Sequence, residues 1–131
     1  MDKKINILVV DDSTVMRMII VKHLKIMGFE NIVQAPDGVA ALEIIQQGGI
    51  DLILSDWCMP LMYGIDLLKA VRADDAMSRI PFIMISAEAQ DHLINMARAE
   101  GVSYYIIKPF TQAVLHAGVA HVLCRPPADS P

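Results

Sequence analysis

Cysteine is scarce in this chain. Its 131 residues include two, Cys58 and Cys124, far apart and in no CxxC pattern, which speaks against a zinc site or a dithiol redox centre. The four histidines, His23, His92, His116 and His121, make no metal pattern either. An excess of positive charge is also missing: a net charge of -4 leaves no support for a nucleic-acid partner. No stretch approaches the roughly 18 consecutive apolar residues of a membrane span. The opening "MDKKINILVVDD" holds an apolar run of only about six residues and ends in acids, which does not suit a signal peptide. A cytoplasmic protein without membrane insertion is expected.

With 54% hydrophobic and 20% charged residues, the chain is suited to pack as one globule. Its length can bury a core without disulfide or metal staples. The nine methionines read as fillers of irregular core gaps. No internal repeat is visible. Short apolar runs alternate with segments of helical period. Strands are expected at "INILVV" (5–10), "IVQA" (32–35), "LILS" (52–55), "FIMIS" (82–86) and "YYIIK" (104–108). Helices are expected at 13–28 (capped by Ser13, ended by Gly28), 37–49, 64–74, 89–101 and 111–124. One domain of residues 1–124 would then precede a polar, proline-rich tail, "RPPADSP" (125–131), read as flexible.

Strict alternation of five strands and five helices implies right-handed crossovers and an open, doubly wound α/β sandwich with a parallel sheet. Function in such sheets gathers beyond the carboxyl ends of the strands. The first strand ends in Asp11 and Asp12, the third in Asp56, the fourth in Ser86 and the fifth in Lys108. Clustered carboxylates repel one another unless a cation sits among them, and hard oxygen ligands suit Mg²⁺. A carboxylate beside a dication is a competent nucleophile toward phosphorus, giving an aspartyl phosphate. Lys108 and the Ser86 hydroxyl could bind phosphoryl oxygens. Asp12, directly before a helix, also suits a plain cap. Asp56 does not, since Trp57-Cys58-Met59-Pro60 is no helix start.

The stretches "ILVVDDS", "DLILSDWCMP", "IMISAEA" and "YYIIKPF" resemble the receiver domain of two-component response regulators, the single-domain chemotaxis regulators most closely. The likeness spans about residues 4–115. It implies a flavodoxin-like fold with strand order 2-1-3-4-5, the order of that family. It further implies Asp56 as phosphoacceptor, with Ser86 and Lys108 on the phosphoryl group. Asp11, Asp12, Asp56 and the Cys58 backbone carbonyl would form the Mg²⁺ site. Lys108-Pro109 would be a cis peptide, and Tyr105 the aromatic switch. The implied partners are a sensor histidine kinase as phosphodonor and a downstream protein bound through the fourth and fifth helices and the fifth strand.

Tyr63 stands before Gly64 where the family usually has Asp or Asn, and Ser86 replaces the commoner Thr. Gly64 still allows the turn. Cys58 and Glu88 occupy positions that in this family flank the phosphoryl group, so they are expected to affect its lifetime. On the last helix, spacing turns Leu115, Val119, Val122 and Leu123 inward and leaves His116, Ala117, Gly118, Ala120 and His121 outside. That uncharged strip suits a partner or a weak homodimer. Two rival readings exist. A haloacid-dehalogenase-type phosphatase would need DxD after the first strand, where this chain has "DDS". A receiver-like interaction module without phosphorylation would have no use for the retained acids, Ser86 and Lys108.

Overall fold

The computed structural model describes residues 1–124; the expected tail, 125–131, lies outside the described residues. Strands β1 (Asn6–Val10), β2 (Asn31–Ala35), β3 (Leu52–Ser55), β4 (Phe82–Ser86) and β5 (Tyr104–Ile107) alternate with five helices. These are α1 (Thr14–Ile26), α2 (Gly38–Gln46), α3 (Gly64–Ala73), α4 (Asp91–Ala99) and α5 (Gln112–Leu123). All strands pair in parallel, in the order β2-β1-β3-β4-β5. This is the flavodoxin-like, doubly wound sheet that the resemblance implies.

Successive side chains on a strand point to opposite faces, so each apolar run feeds two cores. Ile7, Val9, Leu52, Leu54, Ile83 and Ile85 pack with Ile20 and Leu24 of α1 and Leu115, Val119 and Val122 of α5. Leu8, Val10, Ile53, Phe82 and Met84 pack with α2, α3 and Ala97 of α4. Each fully buried Val, Leu, Ile, Phe or Met among them stabilises the fold by about 1.5–3 kcal/mol relative to leaving it in water. The two edge strands differ: on β2 Ala35 alone is fully buried and on β5 Ile106 alone, because no further strand covers their flanks. Helix starts follow their caps. Ser13, Asp37 and Thr111 accept from the backbone N–H of Met16, Ala40 and Val114 at 3.1, 2.8 and 3.2 Å.

The fifth helix corrects one expectation. Gly118 is buried with Leu115, Val119 and Val122, not set on the outer strip. It lies three residues after Leu115 and four before Val122, hence on their face. A Cβ at Gly118 would come within 2.8 Å of the Tyr104 ring, so the missing side chain is the space that ring occupies. His116, Ala117 and His121 remain exposed.

Opposite the strand tips, Arg72 at the end of α3 acts as a latch. Its guanidinium donates to the carbonyls of Ile80, Gly101 and Ser78 at 2.6, 3.0 and 3.1 Å. It also reaches the Ser103 hydroxyl, which accepts the Phe82 N–H at 3.0 Å. The segments leading into β4 and β5 are thereby tied to α3.

Candidate functional site

Backbone pairing brings the strand tips together. Asp56 N–H donates to Val10 O at 2.9 Å and Asp11 N–H to Ala35 O at 3.2 Å, which sets Asp11 and Asp56 on neighbouring tips. Lys108 N–H donates to Ser86 O at 2.8 Å, just before the cis Lys108–Pro109 bond. The Lys108 ammonium then reaches across the sheet to Asp11 Oδ2 at 2.9 Å and Asp56 Oδ2 at 3.3 Å. Asp12 completes the group: Asp11, Asp12 and Asp56 each offer a carboxylate oxygen within 4.8 Å of the others. Asp11 is buried, Asp56 half-buried and Asp12 exposed, so the cluster opens to solvent on one side.

Burial raises the pKa of Asp56 above the ordinary carboxylate value, and the nearby Asp11 charge adds to that; Lys108 and the Trp57 N–H pull the other way. Burial works against the Lys108 ammonium. The hydrogen bond to Asp11 and the charges of Asp56 and Asp11 outweigh it, and the lysine pKa ends above its usual value. Three hard-oxygen donors around a solvent-facing gap fit Mg²⁺, which keeps several of its waters and takes few carboxylates. The ammonium supplies one counter-charge for at least two acids, so negative charge remains for a cation to neutralise.

The surrounding side chains are positioned by local bonds. Trp57 N–H donates to Asp56 Oδ1 at 2.7 Å and fixes the carboxylate rotamer. Ser86 is fully buried at the β4 tip, where its hydroxyl accepts the Glu88 N–H at 3.0 Å. Tyr105 is half-buried: its hydroxyl donates to the Glu88 carbonyl at 2.6 Å and its ring stands edge-on to Trp57. Cys58 and Glu88 meet, with Sγ 3.6 Å from a carboxylate oxygen. Although Cys58 is exposed, local desolvation and that hydrogen bond to Glu88 push its thiol pKa up.

Arg17 and Gly64 play parts at the site that their sequence context does not announce. Arg17 on α1 donates to the Asp11 carbonyl at 2.6 Å and to Gln34 at 3.1 Å, bracing the β1 tip from behind. Its only sequence signal is its place one turn after the Ser13 cap. Gly64 is needed for a different reason than turning: a Cβ there would collide with the Asp56 carbonyl oxygen. The residue with positive φ in that loop is Leu61, at 71°.

The response regulator receiver domain family model matches residues 7–120. Chemotaxis protein CheY-3 of Vibrio cholerae is 45% identical over 115 residues, covering 88% of each chain. Chemotaxis protein CheY of Pseudomonas aeruginosa is 45% identical over 120 residues, 91% of this chain and 96% of that one. Among solved structures, the CheX-CheY-BeF3-Mg complex of Borrelia burgdorferi aligns with a TM-score of 0.86 at 29% identity, covering 92% of this chain and 90% of that one. With acid tips, lysine and fold in agreement, the chain belongs to the response regulator receiver domain family.

Proposed function

We propose that the chain is a phosphorylation switch of a chemotaxis-like relay: it takes a phosphoryl group onto Asp56 from a sensor histidine kinase and signals by binding a protein. The observation that supports this best is Lys108 bridging Asp11 and Asp56 with Asp12 alongside. Such a charge group holds an ammonium ready to pair with a phosphoryl oxygen once a cation offsets the acids. Mg²⁺ held by Asp11, Asp12, Asp56 and the Cys58 backbone carbonyl would supply positive charge against the phosphoryl oxygens.

The Asp56 carboxylate is the nucleophile. One of its oxygens forms the new bond to phosphorus, the P–N bond of the phosphohistidine breaks, and its electron pair leaves on the imidazole nitrogen. Trp57 N–H holds the carboxylate in aim. Lys108, already within reach, moves its interaction from Asp56 to a phosphoryl oxygen while keeping Asp11. The Ser86 hydroxyl turns to donate to a second oxygen. That turn gives up its bond from Glu88 N–H, so the loop between β4 and α4 is released to shift. Tyr105 follows through its bond to Glu88, and the face of α4, β5 and α5 changes shape for the downstream protein. Biasing such an equilibrium from mostly off to mostly on requires about 5 kcal/mol of differential binding, within range of a dianion meeting a cation and two donors.

Met96, Ile107 and Val114 are exposed apolar contacts for that protein. The uncharged outer strip of α5 also suits weak self-association. Cys58 and Glu88 stand together beside Asp56 and set the lifetime of the acyl phosphate. Its receiver domain, residues 1–124, is cytoplasmic and catalyses only its own phosphorylation and dephosphorylation. Incubation with Mg²⁺ and acetyl phosphate should add one phosphoryl group, a gain of about 80 Da by intact-mass spectrometry. No gain, or an equal gain in Asp56→Asn, refutes the proposal.

A further inference from the structure

The loop between β3 and α3 carries a residue that its local structure does not explain. Leu61 has φ of 71° and is 80% exposed. A branched apolar residue is disfavoured in that backbone region, where Asn or Gly serves with less strain, and its exposure gains nothing in the folded chain. The turn itself is tight, with Met62 N–H donating to Pro60 O at 2.8 Å. Its neighbours are anchored. Met59 is buried, and Met62 lies so close to Gly38 that a Cβ there would come within 2.8 Å of it. Tyr63 points out beside Leu61, 57% exposed, over a notch of about 380 Å³ that Asp66 also lines.

Both ends of this loop are fastened at the phosphoacceptor. The loop leaves from Asp56 and returns where Gly64 N–H donates to Trp57 O at 2.8 Å, against the Asp56 carbonyl. A protein that buries Leu61 therefore stands over the β3 tip. A second copy of this chain is a poor occupant, since a symmetric contact here would bring Asp12, Asp56 and Asp66 of both copies together. We infer that Leu61, flanked by Tyr63, is the apolar anchor on which a phosphohistidine-bearing protein docks to reach Asp56. Strain persists at such positions where it is tied to function, and a lone apolar knob buried in a partner socket concentrates binding energy. The inference rests on the receiver reading above.

The test compares two donors in the full chain: acetyl phosphate and a phosphorylated histidine-phosphotransfer domain of a chemotaxis kinase. Leu61→Asn keeps the turn, and Leu61→Gly serves as its control. In both variants, transfer from the protein donor should fall at least about tenfold, while the acetyl phosphate rate stays within about twofold. The melting temperature should hold or rise as the strain is relieved. An unchanged protein-donor rate overturns the anchor, and so does an equal loss with both donors, which would place Leu61 in the chemistry at Asp56. An unsubstituted chain that accepts from acetyl phosphate but not from the protein domain overturns it as well. Failure of the unsubstituted chain with both donors removes the phosphoacceptor reading itself, and the anchor with it.

Discussion

Lys108→Met isolates the electrostatics of the acid cluster. The ammonium stands 2.9 Å from Asp11 and 3.3 Å from Asp56. At an effective dielectric of about 20 each contact is worth about 5–6 kcal/mol before desolvation, much of which the cost of burying the ammonium cancels. The net effect is set by what the substitution leaves behind: two carboxylates with oxygens within 4.8 Å, the Asp11 side chain only 2% exposed. Removing one partner of a buried pair costs about 3–5 kcal/mol, and solvent access on the Asp12 side lowers that to about 2–4 kcal/mol near neutral pH without Mg²⁺. Urea unfolding with and without Mg²⁺, near pH 7 and near pH 4, reads the difference. Mg²⁺ should restore much of the loss by replacing the missing charge. Acid should shrink it, because a protonated Asp56 no longer repels Asp11. An equal loss at both pH values, unmoved by Mg²⁺, would assign Lys108 a packing role and refute the electrostatic account.

Asp56→Asn should also change the pH dependence of stability in Mg²⁺-free buffer. The folded-state pKa of Asp56 is raised by burial, so its stabilisation is complete below the ordinary carboxylate pKa and is lost as pH rises through the raised value. The variant escapes that loss, and a melting-temperature gain that does not grow with pH counts against the shift. Cys58→Asn replaces the thiol that engages Glu88, and should change the dephosphorylation rate severalfold; an unchanged decay of the phosphorylated chain removes the role. Gly64→Ala drives a methyl group against the Asp56 carbonyl and should cost about 1–3 kcal/mol while slowing phosphoryl uptake. Normal stability and normal uptake together would show that the loop has room to spare.

Much of the fold could be read from the chain because the signals were periodic. Uniform burial of "LILS" and "FIMIS" requires helices on both faces, and the observed β3 and β4 are buried throughout. The tips were readable for the same reason: a charged or hydroxyl residue that ends an apolar run marks where the strand meets solvent. Glycine offers no hydrophobic signal, so the inward place of Gly118 is not legible, and Leu123, only half-buried, competes with it for that face. Arg17 and Arg72 give no such signal because their partners are mainly backbone carbonyls, which every residue has. Leu61 gives none because leucine is the wrong residue from which to forecast a positive φ.

The Arg72 latch gives the molecule a mechanical polarity. One guanidinium gathers carbonyls ahead of β4 and β5, far along the sheet from the carboxylates, and so clamps the base of both strands to the neighbouring helix. With their feet fixed, these strands cannot slide as wholes when charge arrives at the top. Motion in answer to that charge would fall to the loops above them, and phosphorylation at one end would become a change of outline along one edge.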